Sequence, residues 1–409
     1  MALVSRVCTG KHLLNGLFNR LYKVSKYNNV PVAHITGKVN RIQRPRPPPF
    51  NYQEKYLGAF YTMFDYNIER FDENSRIVVV EGPIAAGKDK FARELAKELD
   101  MAYMPPPTFD RMYADGYGAD IRLVDHVLPE RIQSCDLQRF LTNPKHANVA
   151  AFETAYYMLK LEAYLESLLH VLSTGEGVVL NRCLFSNFVF MKAMYNAGYI
   201  NQRCRKFYEK VVSKTAYFTM KPHLVIYLDV PVNVVEERIK KRAIPYEVNS
   251  KVLTKKYLTD IETFYKEEYL PQIEDHAYVL MYDWTSAGDI SDVIVDIERI
   301  NIEYDKQYPE KLKDWIFTSI SDLQRRRKLF SREERNYIFS HALITDYEVT
   351  EMFLYGDDVI KHDDLINSHH AKYEQGYNPD KGDKVLWKTK DESDVIFPKV
   401  ITNKELLAT

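Results

Sequence analysis

The chemistry of this 409-residue chain is concentrated at Gly82-Pro83-Ile84-Ala85-Ala86-Gly87-Lys88-Asp89, which fits G-x-x-x-x-G-K followed by Asp where Ser or Thr is expected. In such a loop the backbone N–H groups cradle phosphate oxygens and the lysine neutralises their charge. An ordinary glycine-containing turn is the bland alternative; the position after a buried strand and at a helix start favours the phosphate loop. Asp89 is the departure. A hydroxyl there ligates the magnesium that accompanies a nucleotide. A carboxylate can also take the metal, but it faces phosphate oxygens, and like charges about 4 Å apart repel by roughly 4 kcal/mol at an effective dielectric near 20.

The elements that would position this loop follow from pattern. Arg76-Ile77-Val78-Val79-Val80-Glu81 is a β-branched run of the kind buried in parallel sheets. A helix over Lys88–Leu99 follows at once. Further strands are expected at 177–181, 224–228 and 277–281. Further helices are expected at 148–172, 184–197, 200–216, 232–242, 252–269 and 290–302. Strands alternating with helices imply an α/β fold with a parallel sheet flanked by helices. After about residue 303 the alternation is lost. Residues 310–335 read as charged and helical, with Arg325-Arg326-Arg327-Lys328 as a basic cluster, and the chain from His341 onward reads as a largely irregular extension that wraps its own domain or packs on a partner.

Charge is segregated along the chain. The formal net charge is −1, yet nine basic residues precede the first acid, Glu54, leaving 47 basic against 57 acidic residues in the rest. Leu13, Leu14, Leu17, Phe18 and Leu21 fall at helical spacing beside Arg20 and Lys23. An acid-free, amphipathic, basic N-terminus reads as a mitochondrial transit peptide, the alternative being a basic tail for nucleic acid or anionic lipid. We place the transit peptide at 1–35, a Pro-rich extension at 36–74, the P-loop domain at 75–302 and a C-terminal extension for intra-complex contacts at 303–409. No apolar window is long enough to span a bilayer as a helix. The four cysteines form no Cys-x-x-Cys pair, which argues against zinc ribbons and iron–sulfur ligation. His362, Asp363, Asp364, His369 and His370 cluster without ligand spacing and read as a solvated acidic loop.

Residues 76–300 resemble the deoxyribonucleoside kinases. In that family the P-loop helix is followed by a Phe-Gln-Thr helix, a Glu-Arg-Ser strand end and a basic lid helix; here these read Phe152-Glu153-Thr154, Asn181-Arg182-Cys183 and Glu237-Arg238-Ile239-Lys240-Lys241-Arg242. The whole chain is similar to the kinase-like accessory subunits of mitochondrial NADH:ubiquinone oxidoreductase, complex I. That likeness rests on 223–232, on 187–196 and on Gly376-Tyr377-Asn378 with Gly382-Asp383-Lys384, the last beyond the kinase domain.

The resemblance implies roles residue by residue. Gly82, Gly87 and Lys88 match the phosphate loop, Arg182 the arginine at the reacting phosphate, and Arg238 and Arg242 the lid arginines. Three family features have changed besides Asp89. The general base at the end of the second strand falls in Met104-Pro105-Pro106-Pro107, the carboxylate before the arginine is Asn181, and the base-pairing Gln is Glu153. Phosphoryl transfer depends on metal, base and cation placement, so these losses act together. The expectation is a non-catalytic complex I accessory subunit contributing to assembly and stability. It would lie peripherally on the matrix side of the inner membrane, beside other complex I subunits of the membrane arm. Its degenerate site remains able to hold a purine (deoxy)nucleotide, and no catalytic metal or nucleic-acid partner is implied. The alternative is an active mitochondrial deoxynucleoside kinase, with Asp89 holding magnesium and Asp110 as base.

Overall fold

The computed structural model describes residues 34–408 apart from 43–44, 59–60, 62–64, 66, 115–119, 345–348 and 369–397. The transit-peptide helix, His369, His370 and both Gly-containing motifs at 376–384 lie outside the described residues.

Five strands make one parallel sheet in the order β2-β3-β1-β4-β5. They are β1 (Ile77–Glu81), β2 (Ala102–Met104), β3 (Val178–Asn181), β4 (Leu224–Asp229) and β5 (Tyr278–Asp283). Alternation of side chains along β1 sends Ile77 and Val79 into one apolar core and Val78 and Val80 into another, so both faces must be covered. Helices do this. On one face lie α1 (Lys88–Glu98), α5 (Val232–Arg242) and α7 (Ile290–Arg299); on the other lie α2 (Val149–Thr174), α3 (Asn187–Asn196), α4 (Gln202–Thr215) and α6 (Lys255–Phe264). In register, Val80 sits opposite both Asn181 and Ile226, so the phosphate loop after β1 and Arg182 after β3 leave the sheet side by side. This is the carboxyl edge, where open α/β sheets bind ligands.

The 26-residue helix α2 spans about 39 Å and buries residues on nearly all of its circumference. It stops at Gly175, in the left-handed region at φ +76°, where an added Cβ would lie 2.2 Å from the Arg70 carbonyl oxygen.

Both extensions join this framework. Phe50, Tyr52 and Leu57 pack in the core that holds α2, and Ile35 lies in the core on the opposite face. Arg41 pairs with Asp72 and Asp100, so part of the basic N-terminal charge serves the fold. In α8 (Ile320–Phe330) the basic cluster divides. Arg325 is exposed, whereas Arg327 is fully buried against Asp65 at 2.6 Å. Just beyond, Arg332 and Arg335 both bind the buried Glu166 of α2. The distal chain then returns to the sheet: Ile401 exchanges backbone hydrogen bonds with Tyr103 of edge strand β2, at 2.8 and 2.9 Å. Val400 and Leu406 are buried there. Among the described residues no helix is long and apolar enough to cross a membrane.

Candidate functional site: a phosphate loop over buried cations

The loop between β1 and α1 has the geometry its glycines demand. Gly82 adopts φ +144°, where a Cβ would lie 2.6 Å from the Leu228 carbonyl oxygen. Gly87, at φ +85°, starts α1, so the unpaired N–H groups of its first turn open into the loop. The Lys88 side chain is buried and its ammonium donates to the carbonyl oxygen of Pro83, across the loop. Burial holds its pKa well below the ordinary lysine range, with Arg182 adding to the effect and Glu81 opposing it.

Arg182 follows β3 at φ +65°, a left-handed conformation that costs a non-glycine residue about 1 kcal/mol. Its guanidinium donates to the Gly82 carbonyl oxygen at 3.0 Å and lies 4.6 Å from the Phe190 ring centroid. A third cation was not anticipated from sequence. Lys160 is buried on α2, two turns beyond Glu153, and its ammonium has no hydrogen-bond partner among the described residues. It rests instead near the rings of Tyr156 (4.9 Å) and Phe190 (5.4 Å). The available signal was the seven-residue spacing from Glu153, which puts both on one helical face.

Carboxylates in this region are already occupied. Glu81, fully buried at the end of β1, accepts from the Cys183 backbone N–H at 3.1 Å and from the Tyr265 hydroxyl at 3.0 Å. Glu153 accepts from the Asn187 amide at 2.7 Å; Asn187 also donates to Tyr208. Burial pushes the Glu153 carboxyl up and the Lys160 ammonium down. Beside Glu153, Phe152 stacks on Phe109 and Phe140 with centroids 5.2 and 4.9 Å apart.

The remaining sequence-derived residues are placed differently from one another. Asp89 points out of the loop: it accepts from Tyr103 at 2.5 Å and from Arg93 at 2.9 Å. Its burial would raise its pKa, but these bonds outweigh that and hold it low. A magnesium ion would have to displace one of them. Arg238 braces the loop, donating to the carbonyl oxygens of Ala86, Trp284 and Thr285. Arg242, partly exposed, pairs with Glu247. Asp110 pairs with Arg122 at 2.7 Å and hydrogen-bonds Thr108. Strand β2 ends at Met104, directly before three prolines. The structure therefore brings together Gly82, Gly87, Lys88 and Arg182. Lys88 also feels the charges of Arg242 and Lys160. Asp89 is held by Tyr103 and Arg93, and Arg238 by backbone carbonyls, one of them Ala86 of the loop. Among the described residues no group of His, Cys, Asp and Glu is arranged to hold a metal ion.

A family model described as deoxynucleoside kinase matches residues 78–321. The chain belongs to the deoxynucleoside kinase family. Within this family it is 34% identical over 327 residues to NADH dehydrogenase (ubiquinone) 1 alpha subcomplex subunit 10, mitochondrial, of Mus musculus, covering 79% of this chain and 86% of that protein. Its counterpart of the same name in Bos taurus is 32% identical over 341 residues, covering 82% and 93%. The deoxyguanosine kinase of Dictyostelium discoideum is 23% identical over 227 residues, covering 56% of this chain and 70% of that kinase. The likeness to the alpha subcomplex subunits thus reaches further along the chain than the likeness to this kinase, and at higher identity.

Proposed function

We propose that this kinase-family chain is a non-catalytic accessory subunit of mitochondrial complex I, which retains a nucleotide site without phosphoryl transfer. The observation that carries the reading is the extent of the match to the alpha subcomplex subunits, about four-fifths of the chain and nearly nine-tenths of the mouse protein. The site is consistent with it. The position of the family's general base falls in a run of prolines, Asp110 is engaged by Arg122, and Asp89 is engaged by Tyr103 and Arg93. A general base must reach the proton it removes. The cations stay buried around the loop, where a nucleotide's phosphates would match their charge; Glu153 and the aromatic stack would face the base. The basic arm, residues 1–35, serves as the import address. The subunit then sits on the matrix side, held by surface contact.

Incubation of the purified chain with labelled ATP and each deoxynucleoside tests the reading. Turnover near 1 s⁻¹, ordinary for kinases, would sink it. On native gels the chain is expected to migrate with assembled complex I. Migration as a free protein in mitochondria would likewise overturn the assignment.

A further inference from the structure

A second surface stands apart from the phosphate loop and from the nucleotide reading. Helices α2 and α4 and the short helix Asn336–Ser340 enclose a mainly apolar groove of about 370 Å³, lined by Met158, Val211, Phe339, Ala342 and Leu343. Its rim is apolar and open: Leu343 and Tyr217 are each 85% exposed. Phe218 links the rim together, with ring centroids 5.7 Å from Tyr217, 5.7 Å from Tyr337 and 4.8 Å from His341.

Beside the groove, α4 carries Lys206, Lys210 and Lys214, all exposed and with no ion pair among the described residues. Four-residue spacing makes them one row about 12 Å long. Lys210 and Lys214 stand within about 100° of Val211 around the helix, so the row borders the groove. The acidic residue of this helix, Glu209, is held by Arg205 at 2.9 Å.

We propose that this face docks on an anionic phospholipid bilayer, with Leu343 and Tyr217 entering the interfacial layer and the lysine row meeting lipid phosphates. Three exposed lysines against one exposed arginine, Arg203, on this side of α4 favour lipid over an acidic protein. Protein interfaces are enriched in arginine and depleted in lysine, because a fixed fork suits a fixed acceptor. Lysines on flexible stems beside tyrosine and leucine suit a fluid layer of phosphates above hydrocarbon.

The test is co-sedimentation of the full chain with vesicles of phosphatidylcholine alone or with one-fifth cardiolipin. Strong partitioning is expected only with cardiolipin. Each surface lysine contributes about five-fold to partitioning, so the combined variant Lys206→Glu, Lys210→Glu, Lys214→Glu should lose at least about a hundred-fold. Leu343→Asp alone should lose several-fold, and the triple Lys→Arg variant should retain binding. The basic N-terminal arm attracts the same vesicles, but it is present in every variant, so the differences read this face. Unchanged partitioning of the charge-reversed chain, equal wild-type binding to neutral vesicles, or displacement of the chain by inorganic phosphate would each overturn the proposal. A charge-reversed chain that partitions normally but fails to enter complex I would reassign the surface to an acidic protein neighbour.

Discussion

Two buried charge clusters lie along the same helix and are built on opposite principles. At the seam between α2 and the α8 region, Glu166 is fully buried between Arg332, at 2.8 Å, and Arg335, while Asp65 sits between Arg70 and Arg327. Each carboxylate there meets two guanidinium groups, so the cost of removing charge from water is offset within the chain. Two turns toward the start of α2, the arrangement reverses. Among the described residues, Lys88 meets one carbonyl oxygen, Lys160 has no hydrogen-bond partner, and the nearby carboxylates Glu81 and Glu153 are satisfied by neutral donors. The first cluster is closed in charge, although Arg327 Nη2 and Arg335 Nη1 find no hydrogen-bond partner among the described residues; the second is short of negative charge. On the proposed reading, these cations are the counterpart of an anion supplied from outside.

This contrast can be broken by experiment. The largest effect is expected at the closed cluster: Glu166→Gln leaves two buried arginines without their charge partner and should cost about 3–5 kcal/mol in urea denaturation. A loss under 1 kcal/mol would show that the seam is wet. At the open cluster, Lys88→Met should weaken nucleotide binding by about 2–3 kcal/mol, read as the amount of nucleotide co-purifying with the chain. The same lysine ties binding to pH. Burial favours its neutral form in the empty site, and a bound phosphate restores the charged form. Binding should therefore take up a proton above the depressed free-site pKa, and affinity should fall as pH rises through the bound-state value. Calorimetry in two buffers of different ionisation heat, repeated across pH, measures this, and zero proton uptake at every pH would contradict it. Next, Lys160→Met should have the opposite sign to the seam variant, stabilising the nucleotide-free chain by about 1 kcal/mol, because an unpartnered buried ammonium disappears. Smallest of all, Arg325→Ala should stay within about 0.5 kcal/mol, its pair with Asp322 being exposed.

Much of this was legible from residues alone, and the exceptions have physical causes. β1, β3, β4 and β5 are short β-branched or aromatic runs, and each was readable. The three-residue β2 carries too little pattern to declare itself and exists because both neighbours pair with it. The residues of α8 read as one basic cluster, yet Arg327 is buried because its partner, Asp65, lies 262 residues away. Local charge patterns carry no record of such distant acids. Lys160 was hidden for a related reason: one cation in an apolar helix reads as a surface position until the helix proves buried all round. Lys88 and Arg182 were recognisable because their roles depend on loop and strand-end positions, which sequence does record. The companion arginines were recognisable as charges but not as to target; Arg238 spends its donors on backbone carbonyls.

The pairing of Ile401 with Tyr103 has a consequence for how the chain reaches its native state. Asn403 bonds to the side chain of Asp100, 303 residues earlier, so the cover of the β2 edge is synthesised and imported long after the edge itself. Until it arrives, β2 offers an open ladder of backbone donors and acceptors, the kind of surface on which strands of other chains add. Covering of this edge thus waits on residues beyond 400. A message truncated before residue 400 would yield a domain whose two cores lack Val400 and Leu406 and whose edge is unguarded, a substrate for chaperones and proteases rather than for assembly.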